Sequence, residues 1–456
     1  KKHFIIFTGL ILFFWVNLHS QTYQPSWESI DSRPNPKWFS NAKFGIFIHW
    51  CVYSVPAYRP PHEEGAYAEW YGPDVMYQPE ENDSFHNKNY GENFEYFDFA
   101  SMFKAELFEP AEWAQLFKKA GARYVVLTSK HCEGFCMWPT DNPYSRLWNV
   151  GDVGPKRDLL GDLTDAVRKQ GLKMGYYYSF LEYWNTKTDQ WPADKAKRTG
   201  YYVPKEVWEE YHIPQDEYTD YIHYHIKELV REYHPDILWA DAEWDHSAKF
   251  WRSKELLAWI FNNAPNKESI VINDRWAADS RSKHGGFYTT EYGHGSENIE
   301  FGHPWEECQG IGYSFGYNRA EDLRHYKTPD ELIELLVKTV SNGGNLLLNV
   351  GPTADGRIPV IMQQRLMKVG AWLDTNGEAI YTTQALKKNE KPDILGSNTD
   401  IYFTKKKEFI YAICNDWPKE SIRLKIDAGK PDQISMLGTD KKVNTTYAQN
   451  ILTINP

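Results

Sequence analysis

Cysteine is scarce in this chain: five residues in 456, at Cys51, Cys132, Cys136, Cys308 and Cys414. The number is odd and far too small for a disulfide-built scaffold of this length, so folding must rest on a buried core. Long apolar runs are missing as well. The one candidate, Phe4 to Val16, is too short to cross a bilayer. Lys1-Lys2 precede it and Leu18-His19-Ser20 follow it, the charged, apolar and small-residue order of an export signal. Residues 1–20 are therefore expected to be a signal peptide. The mature protein should start near Gln21, lack a membrane span and be exported, periplasmic or secreted, or in a lysosome-like compartment of a eukaryote. Basic charge is in deficit, 51 Lys and Arg against 62 Asp and Glu, a formal net charge of -11. That argues against a nucleic-acid partner, because phosphate neutralisation needs a basic face. No G-x-G-x-x-G follows a strand, which argues against a doubly wound nucleotide-binding sheet.

What is plentiful is aromatic: 19 Trp, 30 Tyr and 23 Phe. Rings with polar tips line sites that stack flat ligands such as sugars, and they equally fill a Trp-rich core. Two sequons for N-glycosylation occur, at Asn82-Asp83-Ser84 and Asn444-Thr445-Thr446.

Short apolar runs that end in polar residues recur at Lys43 to Trp50, Ala122 to Ser129, Leu172 to Ser179, Asp236 to Asp241, Ser269 to Asp274, Gly286 to Tyr292, Gly310 to Tyr317 and Gly344 to Val350. Helical patterns lie between several of them: Pro110 to Ala120, Asp162 to Gln170, Asp216 to Glu232, Lys254 to Asn263 and Pro329 to Val340. The alternation predicts a TIM-like (β/α)8 barrel, least regular in its sixth and seventh units, with the catalytic domain over 21–380. Alternating segments at Asp400 to Cys414, Ser421 to Ile426 and Ile434 to Leu437 predict a C-terminal antiparallel β-sandwich over 385–456. The insert from Tyr53 to Phe97, rich in Pro, Glu, Asn and Tyr, follows the first strand and is a candidate wall or lid, because such loops build a barrel's active-site face.

The strand ends carry His49-Trp50, His131, Tyr178, Trp239 with Asp241, Asp274-Arg275, and Glu291-Tyr292. The set fits a pocket that reads hydroxyl groups. Cleaving a glycosidic bond needs two carboxyl groups flanking the anomeric carbon, one ionised and one protonated. Asp241 and Glu291 are the best pair by position; Glu133, Glu182, Glu243 and Asp274 also lie near strand ends and stay open as substitutes. His49, His131, Cys132 and Cys136 match no standard zinc spacing. A Cys132 nucleophile with His131 as base is weaker still, since neighbours on a strand point to opposite faces.

Several strings resemble the α-L-fucosidases of glycoside hydrolase family 29. They are Trp38-Phe39 with Ala42 to Trp50, Ser129-Lys130-His131 with Gly134-Phe135, and Pro235 to Trp239 with Asp241. Asn273-Asp274-Arg275-Trp276, Ser314 to Arg319 and Gly343 to Pro352 continue the match in the same order. The resemblance implies a catalytic barrel with a C-terminal β-sandwich and an exo-acting retaining hydrolase that releases terminal α-L-fucose through a covalent glycosyl-enzyme. It implies Asp241 as nucleophile and Glu291 as general acid/base. It implies His49, Glu69, Trp70, His131, Tyr178, Trp239 and Arg275 as residues holding the sugar, and Phe47 and Phe315 as the patch for its C6 methyl. Fucosylated or related L-sugar glycans are the implied partners, with no cofactor and no metal. The two carboxyl groups should have their proton affinities pushed apart, with Arg275 keeping Asp241 ionised.

Three positions depart from the family pattern: Cys51 for Gly, Cys132 for a second His, and Glu133 for Asp. Losing that His removes a hydrogen-bond partner for the sugar, which keeps α-L-galactose, fucose with a hydroxyl on C6, as an alternative substrate. A catalytically silent sugar-binding barrel is the reading from another class. Cys51 and Cys132 follow sugar-contact positions on neighbouring strands and are considered as a disulfide at the pocket wall.

Overall fold

The computed structural model describes residues 22–62, 65–76, 85–183, 213–244, 246–295, 302–427 and 429–455. The expected export signal and the Asn82 sequon lie outside them. Eight parallel strands form one curled sheet: β1 (Phe44–Ile48), β2 (Tyr124–Lys130), β3 (Lys173–Ser179), β4 (Ile237–Asp241), β5 (Val271–Ile272), β6 (Tyr288–Glu291), β7 (Trp305–Gly310) and β8 (Asn345–Val350). Their order is β5-β4-β3-β2-β1-β8-β7-β6. The seam between β5 and β6 has no ladder; the amides of Gly286 and Phe287 cross it to the Ile272 carbonyl at 3.1 and 3.2 Å. The predicted barrel is therefore present, with one loosely stitched edge.

Side chains alternate between its two faces, interrupted in β2 by a register shift between Thr128 and Lys130. Phe47, Tyr124, Val126, Tyr177, Ile237, Trp239 and Leu347 pack together inside. Ile46, Ile48, Leu127, Tyr176, Tyr178, Leu238, Leu346 and Leu348 face outward into the layer beneath the helices. Gly45, the register partner of Tyr124, has no side chain because a Cβ there would overlap the Tyr124 ring. Each such buried side chain contributes about 1.5–3 kcal/mol.

Among the described residues six main helices follow the strands: α1 (Pro110–Lys119), α2 (Leu159–Lys169), α3 (Gln215–Glu232), α4 (Ser253–Asn263), α5 (Pro329–Ser341) and α6 (Val360–Asn376). Five match predicted segments. Helix α5 starts as its sequence directs: Pro329 is in the first turn, the Thr328 hydroxyl accepts from the Glu331 amide, and Glu331 reaches back to the Thr328 amide. Helix α6, which the sequence reading missed, buries Met362, Leu366, Val369 and Leu373.

Two predicted elements need correction. The seventh strand is Trp305–Gly310, not Gly310 to Tyr317, which is a loop. Its sequence, Trp-Glu-Glu-Cys-Gln-Gly, has no apolar alternation, because the inward-facing Glu306 is a buried carboxyl. The irregularity also sits one step earlier than expected: among the described residues no main helix follows β5 or β6, whereas α5 follows β7.

Beyond α6 come six antiparallel strands, β9 (Asp393–Gly396), β10 (Ile401–Lys406), β11 (Phe409–Cys414), β12 (Ile422–Lys425), β13 (Asn444–Ala448) and β14 (Ile451–Asn455). They form a β10-β11 pair and a β13-β14-β12-β9 sheet. Ile401 and Phe403 of the first pack with Ile422 and Leu424 of the second, as in a sandwich. The predicted Ile434 to Leu437 strand is irregular. Asn444 opens β13 and is exposed. The Thr404 hydroxyl donates to the Ala379 carbonyl at 2.7 Å and Tyr402 to Glu334 at 3.1 Å, tying the sandwich to the barrel. Among the described residues no helix is long and apolar enough to cross a membrane.

Candidate active site

Inward parity carries past Trp239 to Asp241 at the end of β4. Arg275 comes from the segment after β5, and Glu291 ends β6. Arg275 joins the two carboxyl groups. Its Nη1 donates to Asp241 Oδ1 at 2.6 Å and its Nη2 to Glu291 Oε2 at 3.3 Å. Its side chain is 2% exposed, against 15% for Asp241 and 27% for Glu291, so the cation is sunk beneath two carboxyl groups that open to the mouth. Arg275 Nε donates to Thr289 Oγ1 at 2.8 Å, and Thr289 Oγ1 to Asp274 Oδ1 at 2.8 Å, so the guanidinium is braced across the β5/β6 seam.

Burial pushes the Asp241 carboxyl up, but the Arg275 charge and hydrogen bond outweigh it, helped by Arg281 and the Tyr177 hydroxyl. The net effect holds Asp241 below the usual carboxylate range. The residue after each carboxyl group is left-handed, Ala242 at φ 59 and Tyr292 at φ 48. Such non-glycine turns cost about 1–3 kcal/mol each.

One wall comes from the insert after β1. The Tyr67 hydroxyl donates to Glu291 Oε1 at 2.5 Å. Glu69 Oε2 accepts from the Ser314 hydroxyl at 3.0 Å and the Gly316 amide at 2.8 Å, so the insert is clipped to the loop after β7. A Cβ on Gly316 would stand 3.1 Å from that Glu69 oxygen, tight for the contact. Trp70 stands beside Tyr183 and His131, with ring centroids 5.2 and 6.5 Å away.

His49 Nδ1 meets Asn349 Oδ1 at 2.7 Å, and Asn349 Nδ2 donates to the Phe315 carbonyl at 2.6 Å. The second bond fixes the amide, so Nδ1 carries the His49 hydrogen and Nε2 is left as an acceptor. Burial, then the neighbouring His131, push His49 down to about 3, so the ring is neutral. His131 Nδ1 lies 3.3 Å from Glu133 Oε2, and its ring stacks on Tyr177 at 5.6 Å. His49 stacks on Phe315 at 4.8 Å and packs edge-on to Phe47 at 4.5 Å. Phe47 in turn meets Trp239 at 5.1 Å, which makes one side of the pocket apolar. Trp239 lies under the Arg275 guanidinium at 4.5 Å and donates its Nε1 hydrogen to Glu306 Oε1 at 2.9 Å.

The structure thus brings together Asp241, Glu291, Arg275, His49, Glu69, Trp70, His131, Trp239, Phe47 and Phe315. It does not bring Tyr178. One residue off the inward parity, Tyr178 lies outside the barrel with its hydroxyl 3.0 Å from His225 Nδ1 on α3, while Tyr177 donates to Asp241 Oδ2 at 2.9 Å. Trp50 is also an outward residue, packed among Phe103, Phe108 and Trp113.

All five cysteines are free. Cys51 Sγ points at the Phe135 carbonyl at 3.8 Å and Cys132 Sγ at Ser179 Oγ at 3.2 Å, so the considered disulfide is absent. Among the substitute carboxylates, Glu182 is engaged by Lys130 Nζ at 2.5 Å and Tyr221 at 2.7 Å, and Asp274 by Thr289 and the Ser282 amide at 2.8 Å. Glu243 is buried with Oε1 3.6 Å from Arg281. Burial and the Asp241 charge push it up to about 7.

The sequence reading missed Tyr67, Tyr177, Ser314, Glu306 and Asn349. Counting inward parity back from Asp241's register partner Ser179 would have found Tyr177. Counting across the Phe47↔Asn349 pair would have found Asn349.

A family model described as Alpha-L-fucosidase matches residues 12–378. Tissue alpha-L-fucosidase of Bos taurus is 39% identical over 424 residues, 92% of this chain and 83% of its own length. The Homo sapiens enzyme of that name is 40% identical over 404 residues, 88% and 80% of the two chains. The solved Thermotoga maritima alpha-fucosidase, in complex with a mechanism-based inhibitor, is 39% identical, covers 95% of this chain and 96% of its own, and superposes with a TM-score of 0.79.

Proposed function

The chain belongs to the α-L-fucosidase family, and we propose that it releases terminal α-L-fucose by double displacement, with Asp241 as nucleophile and Glu291 as general acid and base. The observation that carries these roles is the single guanidinium of Arg275, bonded to Asp241 Oδ1 and Glu291 Oε2.

In the first step an Asp241 oxygen attacks C1 of the sugar, the bond from C1 to the glycosidic oxygen breaks, and that oxygen takes the proton from Glu291. In the second step Glu291, now a carboxylate, takes a proton from water. The water oxygen attacks C1, the ester to Asp241 breaks, and fucose leaves with its original anomeric configuration. Arg275 keeps Asp241 ionised before attack. Neutral His49 offers Nε2 as an acceptor for a ring hydroxyl, the buried Glu69 accepts another, and Trp70 and His131 complete the polar side. Phe47 and Phe315 cover the C6 methyl. A sugar with one hydroxyl inverted would leave one of these buried groups unpaired, which is the strongest form of selection.

An α-L-galactosidase would have to seat a C6 hydroxyl against Phe47 and Phe315. A silent binding barrel would have no use for two carboxyl groups on one cation. Neither is favoured. Fucosylated glycans are the substrates and no cofactor takes part. Export fits relatives named as tissue enzymes and, in Rattus norvegicus, as a plasma alpha-L-fucosidase.

Proton NMR of early product, with aryl α-L-fucoside and aryl α-L-galactoside run side by side, tests the proposal. α-L-Fucose is expected as the first anomer, with the fucoside hydrolysed faster. β-L-Fucose first, or a faster galactoside, would contradict it.

A further inference from the structure

Tyr67 has no assigned part in the two steps above, yet its position is over-determined. Its ring stacks on Phe315 at a centroid distance of 5.3 Å and an interplanar angle of 26°. Its carbonyl accepts from the Trp70 amide at 3.2 Å, and the next amide, of Ala68, donates to Ser314 Oγ at 2.8 Å. These contacts deliver the phenol to Glu291 Oε1 at 2.5 Å, opposite the oxygen that faces Arg275.

We propose that Tyr67 is the positioning residue of the general acid: it fixes the rotamer of Glu291 and binds the negative charge that grows on its carboxyl as the proton leaves for the glycosidic oxygen. The inference rests on the assignment of Glu291 made above. Its physical basis is that a donor already aimed at Oε1 interacts more strongly with a carboxylate than with a carboxylic acid, so it lowers the barrier more than it stabilises the ground state. Burial and the adjoining Glu291 push the Tyr67 phenol upward, so it keeps its hydrogen over the working range.

Among the described residues, Arg275 and the thiol of Cys308 also face Glu291. Cys308 is the register partner of Glu291 on β7, and burial holds its thiol protonated. Tyr292 and Glu69 also act on the Tyr67 phenol. None of these donates to Oε1.

Tyr67→Phe keeps the ring stack and removes only the hydroxyl. For a substrate with a poor leaving group, kcat/KM should fall about 10- to 100-fold, as for loss of a hydrogen bond to a charged group. For an activated aryl fucoside, which needs little acid assistance, the fall should be under about threefold. A donor that acts only as the proton leaves is lost from kcat rather than from binding, so KM should stay within about twofold.

Glu291→Ala with external azide runs in parallel. Azide rescue of Glu291→Ala together with equal losses on both substrates in Tyr67→Phe would overturn the role of Tyr67 alone. Absence of azide rescue would overturn the assignment of Glu291 and the inference with it.

Discussion

Tyr177 donates its phenolic hydrogen to Asp241 Oδ2 at 2.9 Å, whereas its neighbour Tyr178 points out of the barrel to His225. Removing the first hydroxyl should therefore cost activity, and removing the second should cost only stability. Tyr177→Phe takes a hydrogen bond from the charged carboxylate proposed as nucleophile and should lower kcat/KM about 10- to 100-fold. Asp241 must be ionised to attack and Tyr177 helps hold its carboxyl low, so the acid limb of the pH profile should move to higher pH. Tyr178→Phe should leave kcat/KM within about twofold and cost about 1 kcal/mol of stability by denaturant titration. Equal kinetic losses in the two variants would contradict the parity on which the site is built.

Glu306 is the buried acceptor behind Trp239 and is also bonded by the Tyr124 hydroxyl. Burial pushes it up to about 7, against the two donors that lower it. A carboxyl raised above its unfolded value is bound to a proton in the native state while the unfolded chain has released its own. Its contribution to stability is therefore lost as pH rises from about 4.5 to about 7. Glu306→Gln keeps an acceptor and never ionises, so relative to wild type it should gain stability between pH 5 and pH 8, by an amount on the order of 1–3 kcal/mol. Glu243, also raised to about 7, leaves a similar slope in both proteins. Parallel stability curves for wild type and Glu306→Gln would show that Glu306 is ionised throughout.

Asn349 holds the His49 tautomer through Oδ1 and the Phe315 carbonyl through Nδ2. Asn349→Ala should free the imidazole to rotate and should raise KM, lowering kcat/KM about tenfold. In the wild-type enzyme His49, pushed down to about 3, should put no limb into the profile near the ordinary imidazole value. A variant with unchanged KM would mean that His49 is fixed by something other than Asn349.

Much of this was legible in the sequence because a parallel barrel writes its active face at strand ends. Trp239 and Asp241, two apart, share the inner face, and Phe47 and His49 do the same. What failed to show was polar or subtle. β7 was misplaced because Glu306 and Glu307 break its apolar pattern. Within Tyr176-Tyr177-Tyr178 nothing in residue type marks the inward ring, and only the register of β3 with β4 distinguishes it. The considered Cys51–Cys132 bridge placed two thiols on adjacent strands without their directions, and each turned out to face its own oxygen acceptor. Tyr67 lies in an insert whose course no periodicity describes, so its meeting with Glu291 is a purely tertiary fact.

In the proposed mechanism Asp241, held ionised by Arg275, forms the covalent intermediate. A 2-fluoro fucosyl donor with a good leaving group slows both steps but traps the ester, and peptide mapping by mass spectrometry then locates it. One fluorofucosyl adduct on the peptide carrying Asp241, absent in Asp241→Ala together with nearly all turnover, is the expected result. A label on Glu291, Glu243 or any other residue, or an Asp241→Ala protein that still accumulates the adduct, would contradict it.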